Sequence, residues 1–339
     1  MHPVILAIES SCDETSASVI QHGKVLNNVI ASQNIHQKYG GVVPELASRV
    51  HQQNILMVVN EAMTTSGIPF NELNAIAFTR GPGLMGSLLV GVSFAKGMAL
   101  ALNLPLIEVN HMEAHVLAHF IQKPVPAFPF LCLTVSGGHT QIVLVEDYLK
   151  MKVIGETQDD AVGEAFDKVA KMLGLPYPGG PLIDQYAKQG NPKAFKFSDT
   201  TMPRFDFSFS GIKTSFLYFL RDQKKIDPHF AEKNIADICA SLQANLVKML
   251  LKKLKLAATE LGIKEIAIAG GVAANSGLRV ELKNEAEKLG WRIYIPEFQY
   301  CTDNAAMIAM AAHYKYLQNQ FCGLQAAPVA NLSIGPTLH

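Results

Sequence analysis

The chain has 339 residues, 49% of them apolar and 17% charged, with 29 Lys and Arg against 29 Asp and Glu. That is too long for one ordinary core and too rich in core material for a disordered chain, so two domains are expected. Zero formal charge argues against a stand-alone nucleic-acid binder, which needs a surplus of Lys and Arg, but leaves room for a nucleic acid held on a local patch.

The chain opens with the apolar run VILAIES (4–10), a polar turn SCDET (11–15) and a second run SASVI (16–20), which reads as strand, turn, strand. No basic region precedes the first run and Glu9 comes too early for a signal peptide, so a cytoplasmic location is expected. Five cysteines, at 12, 132, 239, 301 and 322, lack CxxC spacing and read as reduced thiols. Helices are expected over 44–64 and 84–102, with the strand NAIAFTR (74–80) between them. The greasy stretch 88–107 carries Lys96 and several Gly and Ala, and reads as a tightly packed buried helix with a following strand, with no membrane span.

The segment FLCLTV–SGGHT–QIVLV (130–145) repeats the opening design about 125 residues later, which points to internal duplication. Its adjacent glycines are expected to reach positive φ and offer N–H groups to an anion, with Ser136 and Thr140 as further donors, although a plain hairpin turn is equally consistent. A helix over about 159–174 carries Glu164, Asp167 and Lys168, each more often a surface charge than a site residue. The region 175–215 is rich in Gly, Pro, Phe and Ser and reads as a loop-heavy insertion; Gly179 and Gly180 form a stiff exposed turn in it, and Asp184 follows where a helix could begin. After a helix at about 231–261, IKEIAIAG (263–270) is a buried strand running through GVAANSG into the helix LRVELKNEAEKLG. Such a turn lets a ligand approach the backbone; Asn275 there is a helix cap or a ribose contact. Neither G-x-G-x-x-G nor a Walker A loop occurs, so a nucleotide here is bound by another scheme. The strand-like WRIYIP (291–296) leads to YCTDNAAMIAMAAHY, and the tail after about 321 is expected on the surface. Strands alternating with helices place the chain in the α/β class.

HMEAH (111–115) carries the clearest chemistry. Residues four apart share a helix face, so His111 and His115 can reach one metal ion. In the protease motif H-E-x-x-H the glutamate follows the first histidine; here that position is Met112, and Glu113 lies about 200° round the helix. The water-activating base is therefore missing. His119 is about 12 Å along the axis and reads as a core or surface residue. Asp303 is the best third ligand, unless it merely caps the helix after it, and Cys301 is an alternative that would favour zinc.

Together these residues carry a signature. SCDET (11–15), GGVVPELASR (40–49), GPGLMGSLLVG (81–91), HMEAH, VSGGHT (135–140), GEAFDKVAK (163–171), YPGGP (177–181), FSFSGIKT (207–214), GGVAANSGLR (270–279) and TDNAAMIA (302–309) strongly resemble the TsaD/Gcp family in its bacterial form. Ser10 stands where the family often has Thr, and Ala114 where it often has Gly. The resemblance implies the ASKHA fold of actin, sugar kinases and Hsp70-type ATPases, with two duplicated lobes around a nucleotide cleft: an N-terminal lobe over 1–133 and a C-terminal lobe over 134–339. It implies transfer of a threonylcarbamoyl group from threonylcarbamoyl-AMP to N6 of adenosine 37 in tRNAs reading ANN codons, with release of AMP. Its metal ligands fall on His111, His115 and Asp303, holding one divalent ion per subunit, Fe(2+) or Zn(2+). Its substrate contacts fall on Thr134, Val135, Ser136, Gly137, Gly138, Asp167, Gly180, Asp184 and Asn275, where ATP, ADP or AMP would also bind. No catalytic base is assigned. The implied partners are tRNA, the paralogue TsaB in a heterodimer through the 81–102 helix, and the P-loop ATPase TsaE, with a homodimer where TsaB is absent. An ASKHA-type ATPase and a metallopeptidase-like hydrolase are the alternatives. Tracing the tRNA contact is harder, because Arg80, Lys96, Lys168 and Lys213 are scattered and no basic stripe with interleaved aromatics is expected.

Overall fold

Ile5, Leu6, Ala7 and Ile8 are all essentially inaccessible to solvent, so the first strand is covered on both faces. That strand, Val4–Glu9 (β1), heads a series that continues Glu14–Gln21 (β2), Lys24–Val25 (β3), Val29–Ser32 (β4), Pro44–Ser66 (α1), Ala75–Gly81 (β5), Met85–Leu102 (α2), Leu106–Asn110 (β6) and His111–Leu117 (α3). Then follow Phe130–Val135 (β7), Thr140–Asp147 (β8), Lys150–Glu156 (β9), Val162–Met172 (α4), Gly179–Ala187 (α5), Ser210–Ile226 (α6), Phe230–Lys233 (α7), Ile235–Leu261 (α8), Glu265–Ala269 (β10), Ser276–Leu289 (α9), Arg292–Tyr294 (β11) and Ala305–Leu317 (α10). The computed structural model describes residues 3–199 and 202–335.

The duplication expected from the two hairpins extends to the sheets. The first runs β3-β2-β1-β5-β6, with β4 also on β2, and the second runs β9-β8-β7-β10-β11. In each, the leading strand pairs antiparallel with the next strand (Ile8 opposite Ala17, Leu133 opposite Ile142) and parallel with a later one that begins a crossover unit. This is the two-part α/β architecture expected from the sequence.

The compact units are not divided by one cut at 133/134. One comprises Met1–Val125, Glu146–Lys152 and Pro296–His339, the other Pro126–Val145 and Val153–Ile295. The return at 296 has a packing cause: every residue from Ala305 to His313 is buried, and α10 lies against β1, β2, β6 and α3. An alanine- and methionine-rich helix that is apolar all round carries no sign of which sheet it covers. The 175–215 region is loop-heavy as expected, with α5 and the start of α6 as its helical parts. The α2 helix is long and apolar enough to cross a membrane by length and composition, but one face packs on β5 and α1. Its other face leaves Met85, Leu89 and Leu100 exposed, so it is less buried than expected.

Candidate functional site

In the first unit, β6 ends at Asn110, whose side-chain oxygen accepts from the amides of Met112 (2.9 Å) and Glu113 (3.3 Å) and starts α3 with His111 as its first residue. His115 follows one turn later on the same face, the two ring centroids 4.7 Å apart. Asp303 does not cap α10. Asn304 does, accepting from Met307 N at 3.0 Å, which leaves Asp303 to face the histidines. Its Oδ1 lies 3.3 Å from Nε2 of His111 and 3.3 Å from Nε2 of His115.

These three residues fit a metal ion. His115 is buried, yet neither ring nitrogen has a hydrogen-bond partner among the described residues, Asp303 Oδ1 standing 3.3 Å from Nε2. An orphaned buried imidazole is costly without a partner of some kind. Ligand atoms about 2.1 Å from one ion at tetrahedral angles stand about 3.4 Å apart, close to the two histidine–aspartate distances, and all three ligand atoms lie within 4.8 Å of one another. Burial alone would lower the His111 pKa, but the charges of Asp303 and Glu9 outweigh it and raise it well above the usual range. His115 is lowered by burial. The site thus stabilises positive charge at one point. Cys301 is not directed to it, its Sγ lying 3.4 Å from the Glu297 carbonyl oxygen and 3.8 Å from that of Pro296. His119 is buried outside the cluster.

Sequence reasoning missed Glu9. Its carboxylate is fully buried, Oε2 accepting from Thr79 Oγ1 at 2.6 Å and lying 3.0 Å from His111 Nδ1, while Oε1 takes the amide of Ser11. Ser11 Oγ also approaches His111 Nδ1, at 3.2 Å. A carboxylate on Nδ1 fixes the ring and its tautomer and aims Nε2 at the ion. Burial would raise the Glu9 carboxyl, but His111 outweighs it and holds it low. The one available signal was an acid closing an otherwise apolar strand. Glu14, also overlooked, is pushed up to about 9 by burial and by the charges of Asp303 and Asp13. Glu113 turns away and accepts from the Gly335 amide at 3.2 Å, in keeping with the argument from Met112.

The remaining expected site residues lie in the second unit, on four elements tied edge to edge. Gly270 packs against Val135, where an added Cβ would come 2.4 Å from its carbonyl oxygen. Gly163 N donates to Ser136 O at 3.2 Å, joining α4 to the β7–β8 turn. Asp167 Oδ1, on α4, accepts from Gly179 N (2.8 Å) and Gly180 N (3.1 Å). Asp184 Oδ1 accepts from Ser276 N (3.1 Å) and Ser276 Oγ (2.7 Å), tying α5 to α9. Asn275 caps α9 through Leu278 N (2.9 Å) and donates to Gln243 Oε1 (2.7 Å).

Details depart from expectation. Neither Gly137 nor Gly138 has positive φ; the turn is closed by Ser136 N donating to His139 O (2.8 Å) and His139 N to Ser136 Oγ (3.0 Å). What the glycines supply is bare exposed backbone, with no atom within 4 Å of an added Cβ. The Thr140 hydroxyl accepts from Val162 N (2.9 Å) and so holds backbone. Thr134 and Val135 are fully buried at the end of β7, leaving Ser136–Gly138 as the accessible part of that loop. Gly179 and Gly180 begin α5, with the Asp167 carboxylate on their amides, and Asp184 sits inside the helix. Burial raises the Asp167 carboxyl against the lowering effect of those amides.

A family model described as TsaD, tRNA N6-adenosine threonylcarbamoyltransferase, matches residues 24–310. The chain is 60% identical over 335 residues to the tRNA N6-adenosine threonylcarbamoyltransferase of Cytophaga hutchinsonii, covering 99% of this chain and 98% of that one. It is 61% identical over 320 residues to that of Christiangramia forsetii, covering 94% of each. Among solved structures it is similar to full-length HypF in its phosphate- and nucleotide-bound form, with TM-score 0.60, 13% identity, and coverage of 93% of this chain and 46% of that one. It is also similar to component A of the Acidaminococcus fermentans (R)-2-hydroxyglutaryl-CoA dehydratase, with TM-score 0.55, 17% identity and coverage of 93% and 99%. Both structural likenesses are of fold, and they agree with the ASKHA architecture.

Proposed function

The chain belongs to the family of tRNA N6-adenosine threonylcarbamoyltransferases, and we propose that it moves the threonylcarbamoyl group from threonylcarbamoyl-AMP to N6 of adenosine 37 in tRNAs reading ANN codons. The observation that carries the reading is the His111–His115–Asp303 cluster, with both imidazoles buried, intact in a chain matched along almost its whole length.

The N6 amine attacks the carbonyl carbon of the mixed anhydride, the bond from that carbon to the phosphate oxygen breaks, AMP departs with the electron pair, and the displaced N6 proton passes to solvent. An activated anhydride needs orientation and charge stabilisation more than a strong base. The exposed backbone of Ser136–Gly138, with Asp167, Gly180, Asp184 and Asn275, is suited to hold the adenylate, and the same residues would take ATP, ADP or AMP. Asp167 and Asp184 act chiefly by fixing the amide-bearing turns. A divalent ion, Fe(2+) or Zn(2+), held by His111, His115 and Asp303 would act as a Lewis acid toward a carbonyl or phosphate oxygen. Glu9 keeps His111 in the tautomer that leaves Nε2 available.

The exposed α2 face, with Leu56 and Met57 of the adjoining α1, is an apolar surface suited to TsaB, or to a second copy of this chain where TsaB is absent. TsaE completes the proposed set of partners, and a reaction on tRNA fits a cytoplasmic location. Labelled threonylcarbamoyl-AMP should be consumed, with label appearing in tRNA, only when tRNA and TsaB are both present. Consumption without tRNA would favour a hydrolase, and ATP turnover without tRNA an ASKHA-type ATPase.

A further inference from the structure

The balanced charge of the chain hides an uneven distribution. Residues 188–255 hold thirteen Lys and Arg against six Asp and Glu, a surplus of seven, while the rest of the chain holds sixteen against twenty-three. Three of those seven net charges lie on one helix, α6. Lys213, Thr214, Leu217, Tyr218, Arg221, Lys224 and Lys225 of α6 are all exposed, and at 100° per residue they fall within a sector of about 140°. The opposite face, Ile212, Phe216 and Leu220, is buried. Asp222 is the one acid on α6 and is shared at 3.0 Å by Arg221 and Lys225. Lys213 and Lys224 form no ion pair among the described residues.

This is not the pattern of an ordinary solvated helix. Such a face alternates acids and bases at i,i+4, whereas Arg221 and Lys225 are like charges at that spacing and weaken the helix by a few tenths of a kcal/mol. The face also presents large apolar groups: Leu217 is 47% exposed and Tyr218 52%. The Arg221 guanidinium lies 4.9 Å from the Tyr218 ring centroid, so the ring is backed by a cation and open on its outer side. Beside α6 runs the 191–199 segment, pinned by Phe195 N to Ser241 Oγ (3.1 Å), Ser198 Oγ to Ser215 Oγ (3.0 Å) and Asn245 Nδ2 to Ser198 O (3.2 Å). It adds Lys193 and Lys196, both exposed and without an ion pair among the described residues. The start of α6 is anchored close to the proposed adenylate loops. Asp159, just ahead of α4, accepts from Phe209 N (2.7 Å), Ser208 Oγ (2.6 Å) and Ser210 Oγ (2.7 Å), and α4 in turn abuts Ser136.

We infer that the outer face of α6, with the 191–199 segment beside it, is the surface on which the tRNA backbone docks, Tyr218 offering its ring to an unstacked base. Cations at repeated helical spacing with an interleaved aromatic match a phosphate chain carrying bases. The identity of the RNA rests on the transferase reading, while the surface rests on charge and geometry. The seventeen residues of α6 extend the face for about 25 Å from the adenylate loops.

The test is binding of an unmodified tRNA transcript to the full chain at 50 to 200 mM salt. Each phosphate contact adds about 0.7 to 0.9 to the slope of log K against log salt. Changing Lys213, Arg221, Lys224 and Lys225 together to Gln should therefore flatten the slope by about 3. The wild-type protein should lose about 60-fold more affinity than this variant across that range. The milder pair Lys213→Gln and Lys224→Gln should show about half the slope change, and Tyr218→Ala should weaken binding with the slope kept. Changing Lys255, Lys264, Lys283 and Lys288 to Gln removes the same charge elsewhere on the unit and should leave the slope unchanged. Equal loss in that control, wild-type slope and affinity in the α6 variants, or no tRNA binding by the wild-type chain at 50 mM salt would each overturn the surface. Binding of tRNA with no transfer to it when TsaB and threonylcarbamoyl-AMP are both supplied would overturn the transferase reading and leave the surface standing.

Discussion

Replacing Glu9 by Gln should weaken the metal site without touching a ligand. The carboxylate has no exposure, and each oxygen is committed: Oε1 to the Ser11 amide, Oε2 to the Thr79 hydroxyl and to His111 Nδ1 at 3.0 Å. A glutamine has one accepting oxygen to meet both demands. With its NH2 toward Ser11, two donors face each other. With its NH2 toward His111, Nδ1 must accept, and the imidazole proton moves to Nε2, the atom that should bind the ion. Loss of such a supporting carboxylate costs about 10–100-fold in metal affinity, or about 1.4–2.7 kcal/mol. A buried donor left unpaired costs a further ~1–3 kcal/mol of stability. Competition of purified Glu9→Gln with a chelator of known affinity for Zn(2+) measures the first effect, and thermal melting of the metal-free protein the second. His111→Ala, which removes a ligand, should lose more metal than Glu9→Gln. A folded Glu9→Gln protein with wild-type Zn(2+) affinity would refute the assignment of Glu9 as the group that orients His111.

Gly163→Ala should disturb the adenylate loop, because its Cβ would lie 2.5 Å from Ser136 O and 2.9 Å from the Gly137 Cα, both backbone atoms. AMP binding by calorimetry should weaken about tenfold, alongside a destabilisation of about 1–3 kcal/mol. Leu89→Glu, on the exposed α2 face, should abolish TsaB binding in a pull-down with the melting temperature preserved; the neighbouring Leu88 is fully buried, so a charge there would report on folding instead. Glu265 supplies a pH test. Burial would raise its carboxyl, but Tyr294, Arg292 and the Ala127 amide hold it below the usual range. Its stabilisation is therefore complete above about pH 4.3 and is lost as pH falls through the lowered folded value. With Arg292 largely exposed, Glu265→Gln should cost about 1 kcal/mol, or about 2–4 °C, at pH 7, and the gap to wild type should close toward pH 3.

Much of the fold was legible because its signals are local. The paired strand–turn–strand segments at 4–20 and 130–145 mark the duplicated hairpins, and the extents of α1 and α2 follow from apolar periodicity bounded by turn residues. The HMEAH spacing placed His111 and His115 on one face, and Met112 in the place of a glutamate already argued against a peptidase; Glu113, turned toward Gly335, agrees. Helix periodicity and backbone chemistry act over a few residues, and the order of residues alone carries them.

Tertiary structure decided whatever depends on residues far apart in the chain. Glu9 gains meaning by meeting His111, and Asp303 became available because α10 folds back onto the first sheet while Asn304 takes the cap. The α6 cations look scattered along the sequence and converge only once the helix faces are set. A carboxylate at the end of an apolar strand, or a lysine in a run of mixed residues, has no function by itself. Its partners, its burial and hence its charge state come from packing across the sheet, which no local window of sequence contains.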